Sequence, residues 1–185
     1  YTITLNATDG NVSSSSATVT YDDSYTLPIP TRSGYTFTGW YLEDTQYTNE
    51  LGSSINNYSN SENIELVAHW TANNYTIALN ADGGNVSAES QEVTYDDSYT
   101  LPIPIRSGYT FTGWYYGDTK YTDNTGSSIN NYSIDGNIAL DAHWTAKSYT
   151  ITLNADGGIL GSSSATVTYD DSYTLPIPTK VGYTF

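Results

Sequence analysis

Few residues in this chain could do chemistry, and those few recur at one spacing. His69 and His143 are the only histidines and stand 74 positions apart. A histidine becomes a general base or a metal ligand when a carboxylate or a second histidine lies close by. Glu65 and Asp141 fall on the same outward side of the strand pattern as these histidines. After 74 residues, however, Glu65 is replaced by Ala139 and Val67 by Asp141, so neither pairing recurs. Both histidines are read as exposed strand residues.

The acid pairs Asp22-Asp23, Asp96-Asp97 and Asp170-Asp171 also repeat, and Asp82-Gly83-Gly84-Asn85 offers further oxygen ligands. Calcium needs ~6–8 oxygens, spaced at alternate positions through a tight turn. Adjacent residues of an extended chain project to opposite sides, so an Asp-Asp pair chelates poorly. The pairs are read as turn residues held by Asx-type hydrogen bonds, with no metal assigned. There is no cysteine, and serine is concentrated in runs such as Ser13 to Ser16, so no nucleophile is assembled. Gly83-Gly84 lacks the lysine and the following helix of a phosphate loop. No catalytic residue and no cofactor are expected, and the chain is not read as an enzyme. The aromatics offer one alternative, stacking on sugar rings as in a glycan-binding module. Tyr47, Tyr58, Tyr121 and Tyr132 sit in loop-like segments and are the candidates for exposed ligand contact. Tyr35, Phe37, Trp40 and Trp70 read instead as core.

The spacing of 74 belongs to the whole chain. Tyr1-Thr-Ile-Thr-Leu-Asn6 returns at Tyr75 and again at Tyr149, and 53 of 74 positions are identical between 1–74 and 75–148. Residues 149–185 match the first copy at 30 of 37 positions. The organisation expected is two modules, 1–74 and 75–148, and the N-terminal half of a third, 149–185. The third copy stops at Phe185, where the others continue with Thr-Gly-Trp. Its missing strands are expected from a continuation or from a neighbouring chain. A 74-residue unit has little core. Without cysteine or a metal cluster to staple it, burial of tyrosine and tryptophan must supply its stability.

Each copy alternates with period 2. Tyr1, Ile3, Leu5 and Ala7 share one face, and Asp9-Gly10-Asn11 marks a hairpin. A second strand is expected over Ala17 to Tyr21, with Val19 and Tyr21 inward. Leu27-Pro28-Ile29-Pro30 must be an edge or a crossover, because each proline removes a ladder donor. In Tyr35-Thr-Phe-Thr-Gly-Trp-Tyr41 the alternation turns Trp40 outward, so a bulge at Gly39 is expected to return it to the core. Ser53 to Tyr58 reads as one helical turn or an irregular loop. In the last strand Ile64, Leu66, Ala68 and Trp70 face inward. The joints Thr71 to Asn74 and Thr145 to Ser148 have no Gly or Pro, which restricts the relative orientation of consecutive modules.

Only 14% of residues are charged, and the net charge of −15 reflects a scarcity of Lys and Arg. Such a field repels nucleic acid and anionic lipid, so neither is an expected partner. No run is long and apolar enough to insert in a membrane. Absence of Cys and Met suits an exposed, oxidising location.

The opening T-I-T-L-N-A-D-G-G, the centre V-T-Y-D-D-S-Y-T-L-P, the core G-Y-T-F-T-G-W-Y and the ending A-H-W-T together resemble the Listeria–Bacteroides repeat, or internalin B-repeat. His69 and His143 stand where that family more often has Lys or Gln. The resemblance implies a small α+β, mainly β module of β-grasp-like outline, used in tandem as beads on a string. It also implies an extracellular or cell-surface location, as spacer, adhesin stalk or fibre. The partners implied are neighbouring repeats of the same or an adjacent chain, and host, matrix or glycan ligands. The family has no catalytic residues to carry over.

Overall fold

The computed structural model describes residues 1–185 and contains twelve β-strands and no helix. They are β1 Thr2–Asn6, β2 Ser16–Thr18, β3 Tyr35–Leu42, β4 Thr45–Gln46, β5 Ile64–Ala72, β6 Asn74–Asn80, β7 Ser90–Thr94, β8 Tyr109–Tyr116, β9 Thr119–Lys120, β10 Ile138–Ala146, β11 Ser148–Thr152 and β12 Ser164–Thr168. Two five-stranded sheets have the orders β2-β1-β5-β3-β4 and β7-β6-β10-β8-β9, and β11 pairs only with β12. The chain divides into two compact units. One gathers Tyr1–Ile77, Glu92–Tyr99 and Asn131–Ile138, the other Ala78–Gln91, Thr100–Asn130 and Ala139–Phe185. Each unit contains one joint between consecutive repeats.

The first sheet is mixed. β1 lies parallel to β5, with Ile3 opposite Ile64 and Asn6 opposite Val67. β3 lies antiparallel to β5, with Tyr35 opposite Ala72. A parallel central pair has a simple consequence. The repeat enters at one end of its sheet, at Tyr1, and leaves at the other, beside Tyr35.

Alternation fills the core as read. Ile3, Leu5, Val19, Leu27, Phe37, Leu66 and Ala68 are buried in one cluster, with Ile64 and Trp70 packed against it. Register shifts between Phe37 and Gly39, Gly39 takes φ 149°, and Trp40 is fully buried. The bulge therefore turns the indole inward, where its N–H donates to Pro28 O at 3.0 Å. Phe37 meets both Trp40 and Trp70 edge-on. The Leu27–Pro30 stretch is a connector, not a strand.

Three expectations need correction. The α+β component is absent, because 53–58 forms no helical turn. Its amides serve distant carbonyls instead: Ser54 N–H bonds Tyr25 O, Ile55 N–H bonds Tyr47 O, and Tyr58 N–H bonds Asp23 O. A backbone donor already committed across the fold has nothing left for an i−4 carbonyl. β2 is shorter than Ala17 to Tyr21, and Tyr21, expected inward, is 55% exposed. The third correction concerns two tyrosines and belongs with the site.

Candidate functional site at the joint between repeats

Only Asn73 separates β5 from β6, and it is bonded on both sides. Its N–H donates to Gly34 O at 2.9 Å, and its carbonyl accepts from Tyr95 N–H at 2.9 Å. Gly34 belongs to the first repeat and Tyr95 to the second, so one linker residue stitches the two. Lys147 repeats the arrangement between β10 and β11. It donates to Gly108 O and accepts from Tyr169 N–H, both at 2.8 Å.

Side chains close each joint in the same way. Tyr35 meets Tyr95 edge-on at 5.5 Å and 74°, and Tyr109 meets Tyr169 at 5.5 Å and 76°. The Tyr35 hydroxyl donates to Asp96 Oδ2 and the Tyr109 hydroxyl to Asp170 Oδ2, each at 3.2 Å. Arg32 covers the Tyr35 ring at 3.9 Å, and Arg106 covers Tyr109 at 4.1 Å. Gly34 must be glycine for two reasons. Its φ is +75°, and a Cβ there would lie 2.4 Å from ring atoms of Tyr95. Gly108 stands in the same relation to Tyr169.

The first joint has a further clamp. Asp135 accepts from the Tyr75 hydroxyl, from Ser33 Oγ at 2.8 Å and from the Gly34 amide. These bonds, the Tyr75 one foremost, hold the Asp135 carboxyl below its usual range. The same bond raises the Tyr75 phenol, while burial and then Asp96 raise that of Tyr35. Burial followed by the Asp170 charge raises Tyr109. The first joint thus favours neutral phenols at Tyr35 and Tyr75 beside the Asp135 carboxylate, and the second favours a neutral phenol at Tyr109.

The acid pairs are turn residues, with Asp22, Asp96 and Asp170 at φ 62°, 64° and 64°. In the second and third copies the first carboxylate of the pair serves the preceding repeat's tyrosine and makes no local Asx bond. That role was missed in the sequence, since a partner 61 residues away leaves no local mark.

The four candidate ligand tyrosines do not form one exposed face. Tyr58 and Tyr132 are core residues, 0% and 1% exposed, which corrects their reading as loop contacts. The Tyr58 hydroxyl donates to Glu62 O and the Tyr132 hydroxyl to Gly136 O, each at 2.6 Å. A phenol with a carbonyl at its tip can bury its ring in full. Tyr47 is half-buried, its hydroxyl accepting from Asn60 Nδ2 at 2.8 Å. Tyr121 is also half-buried and lies edge-on to Tyr116. Burial lifts the neighbouring Tyr25 phenol to about 12. His69 and His143 are exposed and lie flat on Tyr41 and Tyr115, at 3.9 Å in both copies.

No helix of the chain is long and apolar enough to cross a membrane. Internalin H of Listeria monocytogenes is 38% identical over 120 residues, 63% of this chain and 20% of that protein. Two proteins of Evansella cellulosilytica are similar as well. One, named "Putative membrane protein", is 32% identical over 84% of this chain and 23% of its own length. The other, named "Putative Gly-rich membrane protein", is 30% identical over 90% of this chain and 19% of its own length. The chain therefore spans about a fifth of the relatives it matches. No solved structure matches it. The model of the Listeria-Bacteroides repeat domain matches residues 1–69, 75–143 and 149–185. These three matches, one per copy, make the chain a member of the Listeria–Bacteroides repeat family.

Proposed function

We propose that this chain is a non-catalytic spacer of an extracellular surface protein, in which repeats 1–74, 75–148 and 149–185 follow one another at fixed joints. The observation that carries the reading is the stitched linker. Asn73 and Lys147 each make two backbone hydrogen bonds, one to the repeat before and one to the repeat after. A spacer that holds another domain at a distance needs joints of this kind, since a free linker would let consecutive repeats tumble. Likeness to Internalin H supports the surface location and the stalk or adhesin setting. The sheet order β2-β1-β5-β3-β4 supports a β-grasp-like outline in which irregular chain stands in for the helix. Nitrogen-15 relaxation on the full chain tests the proposal. The amides of Asn73 and Lys147 should show order parameters of about 0.85, like the flanking strands. Values below about 0.6 at both positions would mark free linkers and overturn it.

A further inference from the structure

A pocket of about 120 Å³ opens beside β4 of the first repeat, and its walls include Tyr25, Gln46, Tyr47, Asn56, Asn57 and Ser59. No charged side chain lines it, although the chain as a whole carries −15. Several of its walls are fixed from behind. Tyr25 lies edge-on to the buried Tyr58 at 6.0 Å and 80°, and the Tyr47 hydroxyl accepts from Asn60 Nδ2 at 2.8 Å. Gln46 Nε2 donates to Thr38 O at 3.1 Å and to Thr48 O at 2.9 Å. Asn57 Nδ2 donates to Asp22 O at 2.6 Å.

These bonds decide which polar groups are left for a ligand. Gln46 has committed both amide hydrogens, so its Oε1 remains as an acceptor. Asn57 likewise keeps its Oδ1. Tyr47 accepts from Asn60 and keeps its own hydroxyl hydrogen to donate. The half-buried Tyr25 hydroxyl has no hydrogen-bond partner in the protein, and the exposed side chains of Asn56 and Ser59 have none either. Two aromatic rings among convergent neutral donors and acceptors match the chemistry of a sugar. Each of its hydroxyls both donates and accepts, and its C–H face lies against an aromatic ring. An anionic ligand would find no cation here, and a cationic one no carboxylate. Pockets that enclose a drug-sized ligand run to about 300–1,000 Å³, so this one takes a single sugar ring and leaves the rest of a glycan outside.

We infer that this pocket binds one neutral pyranose unit of a glycan, with Tyr25 and Tyr47 against the ring and Gln46, Asn56, Asn57 and Ser59 on its hydroxyls. This goes beyond the spacer reading and does not rest on it. The second repeat supplies the contrast, with Lys120 in place of Gln46 and Ile134 in place of Asn60. Lys120 lies over the Tyr115 ring at 5.9 Å, and Tyr121 is edge-on to Tyr116, where the first repeat has Leu42. The fixed acceptor and the amide behind the tyrosine are both lost there, so the site belongs to the first repeat alone. A joint leaves such a pocket open. In the second repeat, with the first seated on its Tyr95 and Asp96, the equivalents Asn130, Asn131 and Ser133 stay exposed.

The test is a titration of the full chain, followed by amide chemical shifts, with glucose, galactose, mannose, N-acetylglucosamine and their β-linked disaccharides, each to about 20 mM. Glucuronic acid serves as the anionic arm. At least one neutral sugar should saturate with one site per chain and move Tyr25, Gln46, Tyr47, Asn56, Asn57 and Ser59, leaving Tyr99, Lys120 and Tyr121 still. Asn56→Ala, at an exposed position, should keep the fold and weaken binding about fivefold. Gln46→Lys together with Asn60→Ile, which installs the second repeat's residues, should abolish it. Unmoved shifts with every neutral sugar would overturn the inference. So would an equal response in the second repeat, a preference for glucuronic acid, or binding undiminished in these variants.

Discussion

Replacing Gly34 by alanine would strike the joint at its tightest point, and the chain supplies its own control. Two costs add at Gly34. The backbone at φ +75° penalises any L side chain by about 1–2 kcal/mol. The new Cβ also falls 2.4 Å from the Tyr95 ring, so that ring must leave. With it goes the edge-on contact to Tyr35, worth about 0.5–1.5 kcal/mol. The exposed hydrogen bond to Asp96 goes as well, at about 1 kcal/mol. The joint itself thus loses about 2 kcal/mol, or about a thirtyfold change in its opening equilibrium. At Gly182 alanine meets the same φ with no neighbour within 4 Å, so only the strain remains. Hydrogen exchange reads the difference. In Gly34→Ala the amides of Asn73 and Tyr95 should lose about thirtyfold in protection, and those of β3 should lose only what the strain costs. Gly108→Ala should do the same to Lys147 and Tyr169, whereas Gly182→Ala should leave both joints unchanged. Full protection at Asn73 and Tyr95 in Gly34→Ala would show that the tyrosine contact does not hold the joint.

Trp114 is fully buried, donates to Pro102 O and meets Phe111 edge-on. Trp114→Ala should therefore cost about 3–5 kcal/mol in urea denaturation, against little for the exposed His143→Ala. Thr8 sits at φ 54°, where the other copies place Asp82 and Asp156, and the Trp70 indole N–H finds no acceptor whereas Trp144 donates to Ala81 O. Transplanting the second copy's turn with Thr8→Asp and Asp9→Gly should raise stability by about 1–2 kcal/mol and shift the Trp70 indole proton downfield. The first joint should also be pH-bounded on both sides, and the second on the alkaline side. A carboxyl depressed in the folded state, as at Asp135, contributes stability above its unfolded value that is lost as pH falls through the folded one. Phenols raised in the folded state, as at Tyr35, Tyr75 and Tyr109, contribute stability below 10.0 that is lost as pH rises through their folded values. Thermal melts across pH should show a plateau that falls off at both ends, and Asp135→Asn should flatten the acid limb. An acid limb unaltered in Asp135→Asn would remove that carboxylate from the account.

The strands are legible because period-2 alternation leaves one burial pattern, and that pattern by itself calls for a bulge at Gly39. Tyr58 and Tyr132 were not legible. The carbonyl that meets each hydroxyl lies four residues on, in irregular chain, where no period-2 alternation marks which side chains face inward. The joint was hidden by the repetition itself. Tyr35 has two potential partners of one type, Tyr21 in its own repeat and Tyr95 in the next, and the two stand in the same Thr-Tyr-Asp-Asp context. Sequence similarity cannot choose between them; topology can. Because β1 runs parallel to β5, Tyr1 and the neighbouring Tyr21 lie at the end of the sheet where β5 begins. Because β3 runs antiparallel to β5 with Tyr35 opposite Ala72, Tyr35 lies where β5 ends. Its own Tyr21 is at the far end of the sheet. A single linker residue after Ala72 brings the next repeat's Tyr95 to the near one. Any chain built on this sheet order with so short a linker must pair the Tyr35 of each repeat with the Tyr21 equivalent of the next. The identity of the two tyrosine contexts is what allows the same joint to recur every 74 residues.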